Sequence, residues 1–103
     1  MELDVNLLSE TTEKLELCGK TWADVRFIDD GENCSGDVLG FKKAIDFFYD
    51  DGYGCAEINE GLKIVGENWW LERHEYDGSE WWEYKEKPIF DTKREGKIKI
   101  RED

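Results

Sequence analysis

The segment from Trp69 to Lys85 constrains the fold more than any other part of the chain. Two aromatic-rich runs, Trp69–Tyr76 and Ser79–Lys85, meet at Asp77-Gly78. An Asp-Gly pair between alternating residues predicts a β-hairpin, because a two-residue type I′ turn needs positive φ at both positions. Two registers are open. A type I′ loop pairs Tyr76 with Ser79, His74 with Trp81, Arg73 with Trp82 and Leu71 with Tyr84. A type I turn with a bulge at Gly78 shifts the pairing by one, setting His74 opposite Glu80 and Trp70 opposite Tyr84. Side chains alternate between faces along a strand, so Trp69 and Trp70 cannot both be core, nor can Trp81 and Trp82. The outward pair either packs under the C-terminal segment or forms an exposed aromatic patch ringed by Glu72, Glu75, Asp77, Glu80 and Glu83. Such a patch suits protein binding, since Trp and Tyr dominate the energetics of interfaces.

The remaining segments supply helices to cover one face of the sheet. Ser9–Cys18 reads as a short helix, with Ser9 as cap, Gly19 as its stop, and Leu8, Leu15 and Cys18 as a buried stripe closed by Trp22. Val25–Asp29 alternates and predicts a strand with Val25 and Phe27 on one face, followed by a loop through residue 36. Asp37–Tyr49 carries Val38, Phe41, Ile45 and Phe48 at helical spacing, and predicts a second helix ending in an Asp50-Asp51-Gly52 terminator. Gly40 is unfavourable inside that helix. Cys55–Ile58 and Leu62–Val65 read as extended segments around an Asn59-Glu60-Gly61 turn, and Lys97–Arg101 alternates as an edge strand would. At 103 residues the chain is the size of one domain. The expected class is α+β, two helices packed on one face of a mainly antiparallel sheet that contains the Trp-rich hairpin.

Charge narrows the choice of partner. The net charge is -12, with carboxylates concentrated before Lys85 and basic residues after it. Such a field repels nucleic acid and anionic membrane and steers the chain toward basic protein surfaces. Asp29, Asp30 and Glu32, with Asp50 and Asp51, bracket the second helix; they serve either solubility or an electrostatic interface that imitates nucleic acid phosphates. No run of residues is long and apolar enough to span a membrane. The opening Met1-Glu2-Leu3-Asp4 lacks the basic and apolar regions of a signal peptide, and three cysteines without CxxC spacing suit reduced thiols in a cytosolic protein.

Catalytic chemistry finds little support. His74 is the only histidine, and its neighbours on a strand point to the opposite face. Glu72 and Glu83 face each other in the type I′ register and could share a cation, a weak basis for a small metal-dependent enzyme. No nucleophile triad, HExxH, GxGxxG or Walker-type loop is present. The expectation is a non-enzyme without metal or cofactor, a monomer or small homo-oligomer. Its partner-binding residues would be Asp29, Asp30, Glu32, Asp50, Asp51, Trp70, Glu72, His74, Tyr76, Asp77, Glu80, Trp81 and Glu83.

The blocks Phe47-Phe48-Tyr49-Asp50-Asp51-Gly52-Tyr53-Gly54 and Asn68 through Lys85 resemble small acidic proteins carried by Firmicutes prophages and gut mobile elements. The resemblance covers about a quarter of the chain. It implies a phage accessory protein, a group that includes anti-CRISPR inhibitors. The function expected by that analogy is inhibition of a Cas nuclease effector, such as Cas9, by binding its basic nucleic-acid-binding surface. An immunity protein that neutralises a basic toxin would have nearly the same composition.

Overall fold

In the computed structural model the described residues are 5–50 and 57–102. The long hairpin organises them. Strands β6 (Trp69–Tyr76) and β7 (Ser79–Glu86) pair in the type I′ register, with Tyr76 opposite Ser79 and His74 opposite Trp81. Asp77 (φ 53°) and Gly78 (φ 88°) both adopt positive φ, which rules out the bulged alternative. Upstream lie β1 (Val5–Asn6), α1 (Leu7–Leu17), β2 (Phe27–Asp29), β3 (Cys34–Ser35), α2 (Val38–Ala44), β4 (Phe48–Tyr49) and β5 (Lys63–Val65). A five-stranded antiparallel sheet runs in the order β3-β2-β5-β6-β7, and β1 and β4 form a separate two-stranded ribbon. The chain is α+β, as its sequence predicts.

Burial separates the two faces of the sheet. Ile28, Ile64, Leu71, Trp69 and Trp82 point inward, where α1 contributes Leu7 and Leu15. The indole of Trp82 donates to Thr11 Oγ1 at 2.8 Å, and that hydroxyl donates to the Leu7 carbonyl at 2.7 Å, so α1 is fixed over β7. A 3₁₀ turn at Trp22–Asp24 ties the helices together: the Trp22 indole bonds Thr12 and its ring meets Phe41 at 6.4 Å. Trp69 stacks on Tyr84 and presses against Gly66, where a Cβ would come within 2.1 Å of the Trp69 ring.

Several elements depart from the sequence reading. Asn6 rather than Ser9 caps α1, accepting from the Ser9 N–H, and Thr11 joins Leu7 and Leu15 in the buried stripe. In β2 it is Ile28 that enters the core, while Phe27 faces the other way. Helix α2 stops at Ala44, because the following residues serve long-range backbone pairing: the Phe47 carbonyl accepts from Leu7 N, and Tyr49 pairs with Val5. Ile45 remains core, but Phe48 is 67% exposed and does not extend the stripe. Gly40 fits its place, since the Asp37 carboxylate caps its N–H at 2.9 Å and a Cβ there would collide with Asp37 Oδ2. Residues 97–101 form no strand, and the turn after Asp50 and the first half of the Cys55–Ile58 segment lie outside the described residues.

Candidate functional site

Among the described residues nothing covers the outer face of the sheet, and alternation along the hairpin places six of the expected binding residues on it, joined by Asp29 at the end of β2. Trp70, Glu72, His74 and Tyr76 project from β6, and Trp81 and Glu83 from β7. The register continues across the sheet in two rows, Phe27–Val65–Trp70–Lys85 and Asp29–Lys63–Glu72–Glu83. The C-terminal segment does not cover Trp70 and Trp81, because its described residues after Glu86 are all exposed. The packed alternative for these two side chains is thereby excluded.

On this face each outward tryptophan orients one carboxylate. The Trp70 indole N–H donates to Glu72 Oε1 at 2.7 Å, and that of Trp81 to Glu83 Oε2 at 3.1 Å. His74 stacks on Trp81 with ring centroids 6.4 Å apart, and its Nε2 lies 2.6 Å from Glu72 Oε2 and 3.5 Å from Glu83 Oε1. Lys85 Nζ stands 3.5 Å from Glu83. Glu72 and Glu83 are directly opposed, an unfavourable pair of like charges that Lys85 offsets. The Trp70 N–H, and next His74, hold the Glu72 carboxyl below the usual carboxylate range, and the Trp81 N–H does the same for Glu83. Both are therefore ionised at neutral pH. Aromatic rings beside ionised carboxylates form a surface suited to Arg and Lys side chains, through cation–π contact and ion pairing together.

The other expected residues are divided among different places. The register sets the Asp30–Asn33 loop, the Asn59–Gly61 turn and the Asp77–Gly78 tip at the same end of the sheet. Asn59 Nδ2 donates to the Asp30 carbonyl at 2.9 Å, joining the first two. Asp30 accepts from the Asn33 and Glu32 amides, which lower its pKa, so Asp30 shapes the loop as well as charging it. Asp29, Asp30, Glu32 and Asp77 thus form an acidic end beside the aromatic face. Asp50 follows β4, in the ribbon joined to α1, and not the open face; Asp51 lies outside the described residues. Among the described residues no group of His, Cys, Asp and Glu is placed to hold a metal ion.

Glu80 does not belong to the surface. It is 3% exposed and accepts from the amides of Glu57 (2.7 Å) and Ile58 (3.1 Å) and from Arg73 Nη2 (3.0 Å). The reason is alternation: with Trp82 inward, Glu80 two residues earlier is inward as well. Arg73, 5% exposed, lies over the Trp82 ring at 4.8 Å and also contacts Glu10 and the Tyr49 hydroxyl. Tyr49 in turn donates to Glu10, and burial, then that bond, pushes its pKa far up. Sequence reasoning missed this network. An Arg in the inward series Trp69, Leu71, Arg73 was its one available signal. A concavity of about 410 Å³ lies between α2 and the β2–β3 hairpin, lined by Ile28, Phe41 and Leu62 with Asp30, Cys34 and Asp37.

No protein-family model, curated protein or solved structure matches the chain. Among the described residues no helix is long and apolar enough to cross a membrane.

Proposed function

We propose that this chain is an anti-defence protein of the phage type, an anti-CRISPR that binds the basic nucleic-acid-binding surface of a Cas nuclease effector in the bacterial cytoplasm. The observation that carries the reading is the open sheet face, where Trp70, His74 and Trp81 stand uncovered beside the ionised Glu72 and Glu83. A surface of this kind favours Arg and Lys side chains over phosphates. The Asp29, Asp30, Glu32 and Asp77 carboxylates at the adjoining end extend the negative field, while the aromatic rings add apolar anchorage. Inhibition would follow by occupation: a groove filled by this face is closed to DNA or guide RNA. Catalysis has no part in the reading.

The test is capture of tagged chain from cells that produce CRISPR effectors, followed by a target-cleavage assay with the captured nuclease. The reading predicts co-purification of an effector and loss of cleavage as the chain is added, with weaker binding at high salt. Failure to capture or inhibit any effector would overturn the Cas assignment. Capture that is insensitive both to salt and to W70A/W81A would overturn the proposed surface.

A further inference from the structure

The segment after β7 stands apart from the core. Ile89, Phe90, Ile98 and Ile100 are all strongly exposed, Ile100 to 88%. Ile89, Phe90 and Ile98 gather around a 3₁₀ turn, Thr92–Arg94, which Asp91 caps by accepting from the Lys93 N–H at 2.9 Å. This is an arm with its own local structure and an apolar surface. Its charge is opposite to that of the body, with Lys93, Arg94, Lys97, Lys99 and Arg101 exceeding its carboxylates. The radius of gyration is 16.7 Å and the long dimension 53 Å, against a radius near ~13 Å for a compact chain of this length. The arm projects.

A complementary groove lies on the body. α1 and the edge strand β7 enclose it, with Leu17, Trp81 and Trp82 as the apolar lining and Glu10, Glu13 and Lys14 around them. Leu17 is itself largely exposed. Lys97-Ile98-Lys99-Ile100-Arg101 alternates basic and apolar residues, so an extended chain offers isoleucines from one side and cations from the other. The isoleucines match the apolar lining of the groove, and the cations match the exposed Glu13 carboxylate at its rim. The arm leaves from Glu86, which pairs with Trp69 at the end of the sheet opposite the hairpin tip; its described residues are all exposed and none lines the groove of its own chain.

We infer that the arm of one copy docks in the α1–β7 groove of a second copy, and that two copies exchange arms reciprocally. One arm and one groove per chain make the contact self-complementary, and a two-fold arrangement satisfies both and closes at two. Burial of the isoleucines supplies the attraction, and the arm's cations against Glu13 set the register. The exchange leaves Trp70 and Glu72 on the open face and shares only Trp81 with the surface proposed for function, so W70A acts on that surface and not on the exchange.

Analytical ultracentrifugation of the full chain over a wide concentration range, at low and high salt, tests the exchange. The expected particle is a dimer that weakens as salt rises. I98D/I100D, on exposed positions that leave the fold intact by circular dichroism, raises the dimer dissociation constant at least ~10-fold. E13K and K99E each weaken the dimer severalfold, and the E13K/K99E combination restores it; W70A leaves it unchanged. A monomer at every concentration overturns the inference, whether its arm is protected from hydrogen exchange by its own body or not. An open-ended series of larger species overturns the reciprocal exchange.

Discussion

Replacing Glu80 by Gln separates an interior carboxylate from a surface one. In the folded chain the Glu80 carboxylate accepts three hydrogen bonds, from the amides of Glu57 and Ile58 and from Arg73 Nη2. Arg73 has a side chain that is 1% exposed, and its Nε has no partner among the described residues. Glu80→Gln keeps the shape but removes the charge, leaving a buried guanidinium with Glu10, at 3.4 Å, as its carboxylate partner among the described residues. Removing one member of a buried pair costs about 3–5 kcal/mol, and the partial compensation by Glu10 places the expected loss near the lower figure, ~3 kcal/mol. Single domains of this size have a total stability of about 5–15 kcal/mol, so the loss lowers the melting temperature by more than ~10 °C. Urea unfolding followed by tryptophan fluorescence measures it, with Trp82 reporting directly because Arg73 lies over its ring. Glu83→Gln, three residues on and on the outer face, serves as control and should change stability by less than about 0.5 kcal/mol. Equal small effects from both substitutions would refute the inward placement of Glu80 and, with it, the face assignment of the hairpin.

Two further outcomes follow from the same geometry. Folded Glu72 titrates below its ordinary value of 4.5, so its contribution to stability is fully present above that pH and is lost as pH falls through the lowered value; carbon-detected carboxyl titration should show this, and Trp70→Phe, which removes the N–H donor, should move it back toward 4.5. At the hairpin tip, Asp77→Asn should be nearly neutral because Asn tolerates positive φ, whereas Gly78→Val at φ 88° should cost more than ~1 kcal/mol in thermal unfolding, since a β-branched residue there is strained.

How much of this was legible in the sequence depended on how local the deciding interactions were. The hairpin was, because eight-residue strands and an Asp-Gly turn specify each other over a short span. The Asp-Gly pair admits two registers, and the paired positive φ values of Asp77 and Gly78 resolve them. Helix α2 was overextended because Phe48 continues a 3.6-residue period; the competing partner, β1, lies more than forty residues earlier. The alternation of Lys97–Arg101 was real but has no strand to pair with among the described residues of the same chain. Six of the expected binding residues, all in the hairpin, share the open face through β alternation alone, and Asp29 joins them through the pairing of β2 with β5. Glu80 was misplaced for want of one fact, which of Trp81 and Trp82 turns inward. Phe27, Lys63 and Val65 were absent from the expected set because they reach the face only through the pairing of β2 with β5 and β5 with β6.

The central claim concerns the outer face of the sheet, and the tryptophan side chains report on it individually. Trp70 and Trp81 place their indole N–H groups on that face, bonded to Glu72 and Glu83, whereas Trp22 and Trp82 bond Thr12 and Thr11 on the helix side. The measurement is the set of indole ¹H–¹⁵N resonances of labelled chain, recorded with and without the captured Cas effector. Binding through the open face predicts that the Trp70 and Trp81 signals shift or broaden selectively while those of Trp22 and Trp82 hold their positions. Perturbation confined to Trp22 and Trp82, with Trp70 and Trp81 unmoved in a saturated complex, would contradict it.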